Sequence, residues 1–310
     1  MPSASEISEA VARESERRSR LAVPAFAGGV LYLLSGIIIS STLNGAPSVG
    51  LLQGLAPALS GVANPPVSPR ATEVKFISHH AFALIAGSTL AAIAIGALTL
   101  ILLLLVDATR LRRPESWSAA RTLVLGGGIA LALVSVGHQV VSSIEAHSFA
   151  VGHDFSNHAV DNALTKSTAN MITVYLDLLA GLALAAGTIG ATVNALRVGL
   201  LPRWMSILGI LTGVLIFLPI GGATLEVVAA FWMVMMGILY AGRWPNGEPP
   251  AWAAGEARPW PSQAELRAER RAGEGQPALS AAAADVAPAP ARPASRSSSR
   301  KRRRKRGARG

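Results

Sequence analysis

The segment from Ala81 to Val106 contains no charged residue, and this feature most constrains how the chain can fold. About 20 apolar residues at 1.5 Å per residue cross a bilayer core of roughly 30 Å. Such a run is too long for a core helix of a soluble protein. In hydrocarbon the edges of an open sheet would leave backbone polar groups without partners, so the segment is predicted to be a membrane-spanning helix.

Five further runs have the same character, and together they predict an all-α, polytopic transmembrane helix bundle of about six spans. The two runs nearest the C-terminus are short, and they are expected to form a tight helical hairpin. The domain division that follows is a cytoplasmic N-terminal segment over residues 1–20, a transmembrane domain over 21–242 and a basic tail over 243–310. The predicted spans are Leu21–Thr42, Ala81–Val106, Leu123–Ile144, Met171–Leu196, Met205–Gly221 and Thr224–Ala241.

The basic residues predict the orientation of these spans. Cytoplasmic segments of membrane proteins are enriched in lysine and arginine. With the N-terminus inside, the segments assigned to the outside contain only Arg70, Lys75 and Lys166. All other basic residues then lie on the cytoplasmic side, and an even number of spans places both termini there. The expected location is therefore the inner membrane of a bacterial cell, as a multi-pass protein.

Two stretches resemble a known group of proteins. The turn "LPRWMSILGILTGV" from Leu201 and the entry "RSRLAVPAFAGGVLYLL" to the first span resemble uncharacterised multi-span membrane proteins of actinobacteria. The resemblance implies a multi-pass membrane fold and implies no particular activity, so no functional residue is carried over from it.

Histidine and acidic residues collect on the side of the membrane assigned to the outside. Three intramembrane polar residues, His138, Asp177 and Glu226, lie near the outer ends of their spans. If they line one cavity, His138 is expected to interact with at least one of the two acids. The residues that could also ligate a divalent metal are His79, His80, His138, Glu145, His147, His153, Asp154, His158 and Asp161.

Several chemistries fit this cluster. Imidazole and carboxylate suit zinc, copper or nickel, and Asp154, His158 and Asp161 would share one face if their loop were helical. Two histidines on neighbouring helices, His138 with His79 or His80, could hold a haem. Histidine also titrates near neutral pH, which suits a proton-coupled transport site. The alternative is that these groups are polar loop residues and structural hydrogen-bonding partners.

Other classes of function receive little support from the residues. The chain has no cysteine, which excludes disulfides and thiolate chemistry. A nucleophile elbow, a phosphate-binding P-loop and a dinucleotide-binding glycine motif are all missing, so no catalytic residue is assigned. An enzyme is the less favoured interpretation. Small residues spaced four apart along the spans are compatible with a homo-oligomer.

The net charge of +10 belongs to the tail. From Arg243 onward there are 15 basic and 6 acidic residues, whereas the other 242 residues contain 13 basic and 12 acidic. Low hydrophobicity predicts disorder there. A basic cluster attracts anionic lipid headgroups, or a ribosome or other nucleic acid. Tails of this kind resemble those of membrane insertases of the YidC class, which gives a non-catalytic scaffold or insertase-like alternative. The cluster consists of Arg300, Lys301, Arg302, Arg303, Arg304, Lys305 and Arg306.

Overall fold

The protein is predominantly helical in the part of the chain that the computed structural model describes. These residues are 4–50, 52, 53, 59, 61, 67–218, 223–245, 247–260, 267 and 271, and none of them belongs to a β-strand. In chain order the helices are α1 (Ala4–Asn44), α2 (Ala71–His79), α3 (Ala81–Arg112), α4 (Ala119–Val151), α5 (Asn157–Asp161), a π-helical turn (Asn162–Lys166), α6 (Thr168–Val198), α7 (Arg203–Phe217), α8 (Ala223–Tyr240) and α9 (Pro250–Ala254).

Four of these helices are long and apolar enough to cross a membrane. They are the parts of the chain at Ser8–Asn44, Ala81–Arg112, Ala119–Val151 and Asn157–Val198. Two more apolar helices, Arg203–Phe217 and Glu226–Tyr240, are shorter. An all-helical fold that is compatible with a membrane bundle is therefore confirmed. Four predicted spans lie wholly within a helix, whereas Met205–Gly221 runs past the end of α7 at Phe217 and Thr224–Ala241 ends one residue after α8.

The helices that carry the predicted spans follow one another around a closed ring. Helix α1 packs against α3, α3 against α4, α4 against α6, α6 against α7, α7 against α8, and α8 returns to α1. Helix α3 also contacts α6 and α8 across this ring. It supplies much of the main core, for example Ile101, Leu102 and Leu105, each at most 1% exposed.

Glycines set the closest of these contacts. A Cβ atom on Gly127 of α4 would lie 2.5 Å from the backbone nitrogen of Leu184, and one on Gly187 of α6 would lie 2.9 Å from that of Val124. Helices in lipid associate through such small residues because lipid tails are as apolar as leucine. The backbone of α6 thus approaches α4 most closely at Gly127.

Helix α6 shows how local sequence fixes the ends of an element. At its start the Ser167 hydroxyl accepts a hydrogen bond from the backbone N–H of Asn170, which is a standard N-terminal cap. At its end Gly199 has φ +84°, a left-handed conformation that glycine adopts without a Cβ clash. Pro202 then precedes α7, whose first residue is Arg203.

The two ends of the bundle differ in chemistry. We call the end at which α3 and α6 terminate the basic end, since it carries Arg18, Arg112 and Arg197. The opposite end, which we call the histidine end, holds α2, α5 and the π-helical turn. A small second core lies there, formed by Ala71, Val74, Ala146, Phe149, Val160 and Ala163.

At the basic end the structure corrects the predicted boundary of the tail. Disorder was expected from residue 243, but α9 packs on the bundle and Trp252 is only 3% exposed. The Trp252 indole N–H donates to the carbonyl of Leu200 at 2.9 Å, and its ring lies below the guanidinium groups of Arg18 and Arg112. Composition misses this contact because one tryptophan, rather than a run of apolar residues, holds the segment. The remaining tail, including Arg300, Lys301, Arg302, Arg303, Arg304, Lys305 and Arg306, lies outside the described residues.

Candidate functional site

A chain of polar side chains joins α4 to α6 within their apolar interface. The Nδ1 atom of His138 lies 2.9 Å from the Thr173 hydroxyl oxygen, and that hydroxyl donates to the carbonyl of Asn170. One turn further along α4, the Ser142 hydroxyl donates to the Asn170 side-chain oxygen at 3.3 Å. Asn170 is fully buried, and its amide nitrogen donates to the carbonyl of Ala163.

The two intramembrane acids lie next to this chain. Asp177, one turn after Thr173 on α6, is close enough to the His138 imidazole to be attracted by its positive form. Tyr32 of α1 is close enough to Asp177 and to Glu226 of α8 to interact electrostatically with both carboxylates. All four side chains are neither fully buried nor fully exposed. Four helices thus each contribute one titratable group that is within electrostatic range of at least one of the others, and we call this set the polar site.

Gly36 makes room for one of these acids. A Cβ atom at Gly36 would overlap the carboxylate of Glu226. The carboxylate therefore lies directly against the backbone of α1, where any larger residue would displace it. Because Glu226 is in the first turn of α8, its charge is also favourably placed relative to the dipole of that helix.

The polar site lies at the level where α7 ends and α8 begins. Glu226 lies beside Gly36 of α1, and the carbonyl of Ile216 on α7 lies beside Gly181 of α6. Helix α6 continues from Gly181 to Thr168, which is about 20 Å at 1.5 Å per residue. Helix α1 continues from Gly36 to Asn44, about 12 Å by the same rise. The described parts of α7 and α8 consequently stop well short of the histidine end.

The other five histidines lie at the surface of the histidine end. His79, His80, His147, His153 and His158 are all exposed. His80 stacks on Phe76 with ring centroids 3.9 Å apart, and its Nδ1 lies 2.9 Å from the Phe76 carbonyl oxygen. His138 is thus the one histidine within the polar site.

The acidic residues near these histidines have local partners. Helix α4 continues to Val151 and includes Glu145, while Asp154 lies outside any helix and accepts from the backbone N–H of Ser156 at 2.9 Å. That hydrogen bond lowers the pKa of Asp154. The ammonium of Lys166, 2.7 Å away, lowers the pKa of Asp161. The shared helical face expected for Asp154, His158 and Asp161 is not formed, because α5 begins only at Asn157.

These positions bear on the metal and haem hypotheses. Within the described residues, which include all nine candidate ligands, no three histidine or acidic side chains are grouped so that they could hold a metal ion. The Nδ1 of His138 is hydrogen-bonded to Thr173, and that of His80 lies against the carbonyl of Phe76.

Sequence reasoning missed part of the polar site. Tyr32, Gly36, Asn170 and Thr173 carry no charge at neutral pH, so a search for ionisable groups inside apolar runs passes over them. A signal was present for two of them. Thr173 and Asn170 precede Asp177 by four and seven residues, which places all three on one face of a helix.

Comparisons with protein-family models, with curated proteins and with solved structures found no match to this chain. The function is therefore argued from the polar site alone.

Proposed function

We propose that this chain is a multi-pass carrier of the bacterial inner membrane that couples protons to the movement of a small organic cation. Its six apolar helices would form the carrier, with the basic end in the cytoplasm. The observation that carries the proposal is the polar site, in which His138 is hydrogen-bonded to Thr173, Glu226 lies against Gly36, and Asp177 and Tyr32 are within electrostatic range of these groups.

The physical reason lies in the charge of that site. An ionised side chain within a membrane helix costs on the order of 3 kcal/mol on insertion scales. Asp177 has the His138 imidazole nearby, and no lysine or arginine among the described residues is paired with Asp177 or Glu226. A bound proton or cation would lower that cost. A site with this chemistry can therefore exchange one for the other, which is the basis of proton coupling.

Access to the site is expected from the histidine end. The described parts of α7 and α8 stop near the level of Gly36 and Gly181, which supports an opening toward the histidine end. Membrane carriers commonly bind their substrates near the bilayer midplane, where short or broken helices end. Tyr32 would supply an aromatic face to an organic cation.

Proton flux in liposomes tests the proposal. The full chain would be reconstituted with a pH-sensitive dye trapped inside, and ethidium would serve as an aromatic monovalent cation. We expect addition of ethidium to drive proton movement in the opposite direction. Asp177→Asn and Glu226→Gln should each abolish that movement, because the amide retains the shape of the acid but cannot exchange a proton.

Asp161→Asn is the matched control, since Asp161 is a carboxylate at the histidine end that is paired with Lys166. It should leave the proton flux unchanged. Equal flux in wild type, Asp177→Asn and Glu226→Gln would contradict the proposal, as would a wild type that moves no protons in response to ethidium.

A further inference from the structure

A groove with one polar and one apolar end lies between α1 and α3 at the basic end. It consists of two adjoining cavities of about 380 Å³ and 290 Å³, which share Arg17, Arg20, Leu104 and Asp107. Its polar end also includes Arg13, Glu14 and Glu16, and its apolar end includes Leu21, Leu100 and Leu103. Glu14 is paired with the buried Arg112. The arginines therefore lie nearer the N-terminus of α1, at the basic end, and the leucines lie toward the middle of the bundle.

Most charged side chains in this groove have an ion-pair partner, but one arginine does not. Arg13 is paired with Glu9, Arg20 with Glu16 at 2.6 Å, and Asp107 with Arg121 at 3.3 Å. Arg17 is exposed, and its side chain has no ion pair or hydrogen bond with any residue that the structure describes. One guanidinium is thus available for an anion at the mouth of the groove.

The apolar end shows what kind of anion fits. Leu100 is 47% exposed, and it lies below Arg17 along the same groove. A free phosphate ion would meet only the arginines and would leave these leucines uncovered. A phospholipid places a phosphate at the headgroup level and an acyl chain directly beneath it, which matches both ends of the groove.

We propose that the α1–α3 groove binds one anionic phospholipid. Arg17 forms the principal contact with the lipid phosphate, as a guanidinium fork matches two phosphate oxygens. Leu100, Leu103 and Leu104 pack along one acyl chain. This site is separate from the polar site, so it does not depend on the transport proposal.

Lipid binding to the purified full chain tests this proposal. Phosphatidylglycerol would be titrated into protein in detergent, and bound lipid would be counted by native mass spectrometry. Arg17→Gln should weaken phosphatidylglycerol binding about tenfold, the effect expected from losing a hydrogen bond to a charged group. Arg113→Gln removes an exposed arginine outside the groove and is the matched control, which should bind as the wild type does.

Two further measurements distinguish an anionic lipid from other ligands that contain phosphate. Phosphatidylcholine should bind more weakly than phosphatidylglycerol, and inorganic phosphate should not compete with the lipid. Equal loss in Arg17→Gln and Arg113→Gln would assign the binding to general charge and would overturn the site. Competition by inorganic phosphate would overturn the role of the leucines. Because Arg17 is exposed, an unchanged melting temperature of Arg17→Gln should exclude misfolding as the cause of any loss.

Discussion

At the scale of single residues, two glycines of α1 that face α8 should respond differently to the same substitution. A Cβ atom at Gly29 would lie 2.7 Å from the carbonyl oxygen of Ala230, which is backbone and cannot easily move. A Cβ atom at Gly36 would meet the Glu226 side chain, which can rotate away. Gly29→Ala should therefore destabilise the protein by about 1–3 kcal/mol, whereas Gly36→Ala should fold and abolish ethidium-driven proton flux.

Thermal unfolding in detergent and the liposome assay would be measured on both variants. Gly96→Ala is the control, because a Cβ atom there meets no atom within 4 Å. It should change neither measurement. A Gly36→Ala variant with wild-type proton flux would show that the position of the Glu226 carboxylate does not matter.

A second prediction at this scale concerns the buried ion pair at the basic end. The Arg112 side chain is 0% exposed, and it donates to both Glu14 carboxylate oxygens at 2.9–3.0 Å. It also donates to the carbonyls of Ala108, Ala251 and Trp252. Arg112→Ala would leave Glu14 buried without its partner, which should cost about 3–5 kcal/mol of stability.

Arg112→Lys should recover only part of this loss, because one ammonium cannot reproduce a planar fork that reaches two helices and α9. The measurement is the melting temperature in detergent. Arg113→Ala removes the exposed neighbouring arginine and should have little effect. Equal melting temperatures for Arg112→Ala and Arg113→Ala would contradict the assigned role of the ion pair.

At the scale of elements, the segment after α8 should stabilise the bundle. Truncation after Arg243 removes α9 and Trp252, whereas truncation after Trp260 keeps them. Loss of a buried tryptophan typically costs about 3–5 kcal/mol. The shorter chain should therefore melt at a clearly lower temperature than the longer one. Trp252→Ala in the full chain should reproduce most of the difference, and equal melting of the two truncations would show that α9 contributes nothing.

The sequence predicts the long elements well and the contacts between distant segments poorly. Uncharged runs mark the spans because a membrane allows few charges, and the first four predicted spans lie within the observed helices. Glu14 and Trp252 show the limit. Each lies in a polar or proline-rich segment that is typical of solvent-exposed chain, and each is buried by Arg112, which is 98 residues from Glu14 in sequence. No local pattern encodes such a pairing.

For the polar site, the sequence predicts the charged residues but not their proximity. His138, Asp177 and Glu226 stand out because charge is rare in apolar helices. Their proximity depends on the ring order of α1, α4, α6 and α8, which no spacing in the sequence fixes. The surface histidines suggested a metal site from their number alone, and their number carries no information about distance.

At the scale of the whole molecule, the charge asymmetry predicts the orientation in the membrane. Arg110, Arg112, Arg113 and Arg121 flank the link from α3 to α4 at the basic end, whereas Lys166 is at the histidine end. Since cytoplasmic loops retain lysine and arginine, the basic end should face the cytoplasm. The polar site would then open to the periplasmic side, where a proton-coupled carrier can collect or release its cation.

The absence of cysteine makes this orientation directly testable. Single cysteines at Thr165 and Ser118 occupy exposed positions at the histidine end and the basic end respectively. A membrane-impermeant maleimide that passes the outer cell layers should label Thr165→Cys in intact cells and Ser118→Cys only after the membrane is opened. Labelling of both in opened membranes controls for accessibility. The reverse pattern would turn the polar site toward the cytoplasm, and a carrier would then have to release its protons there before binding its cation.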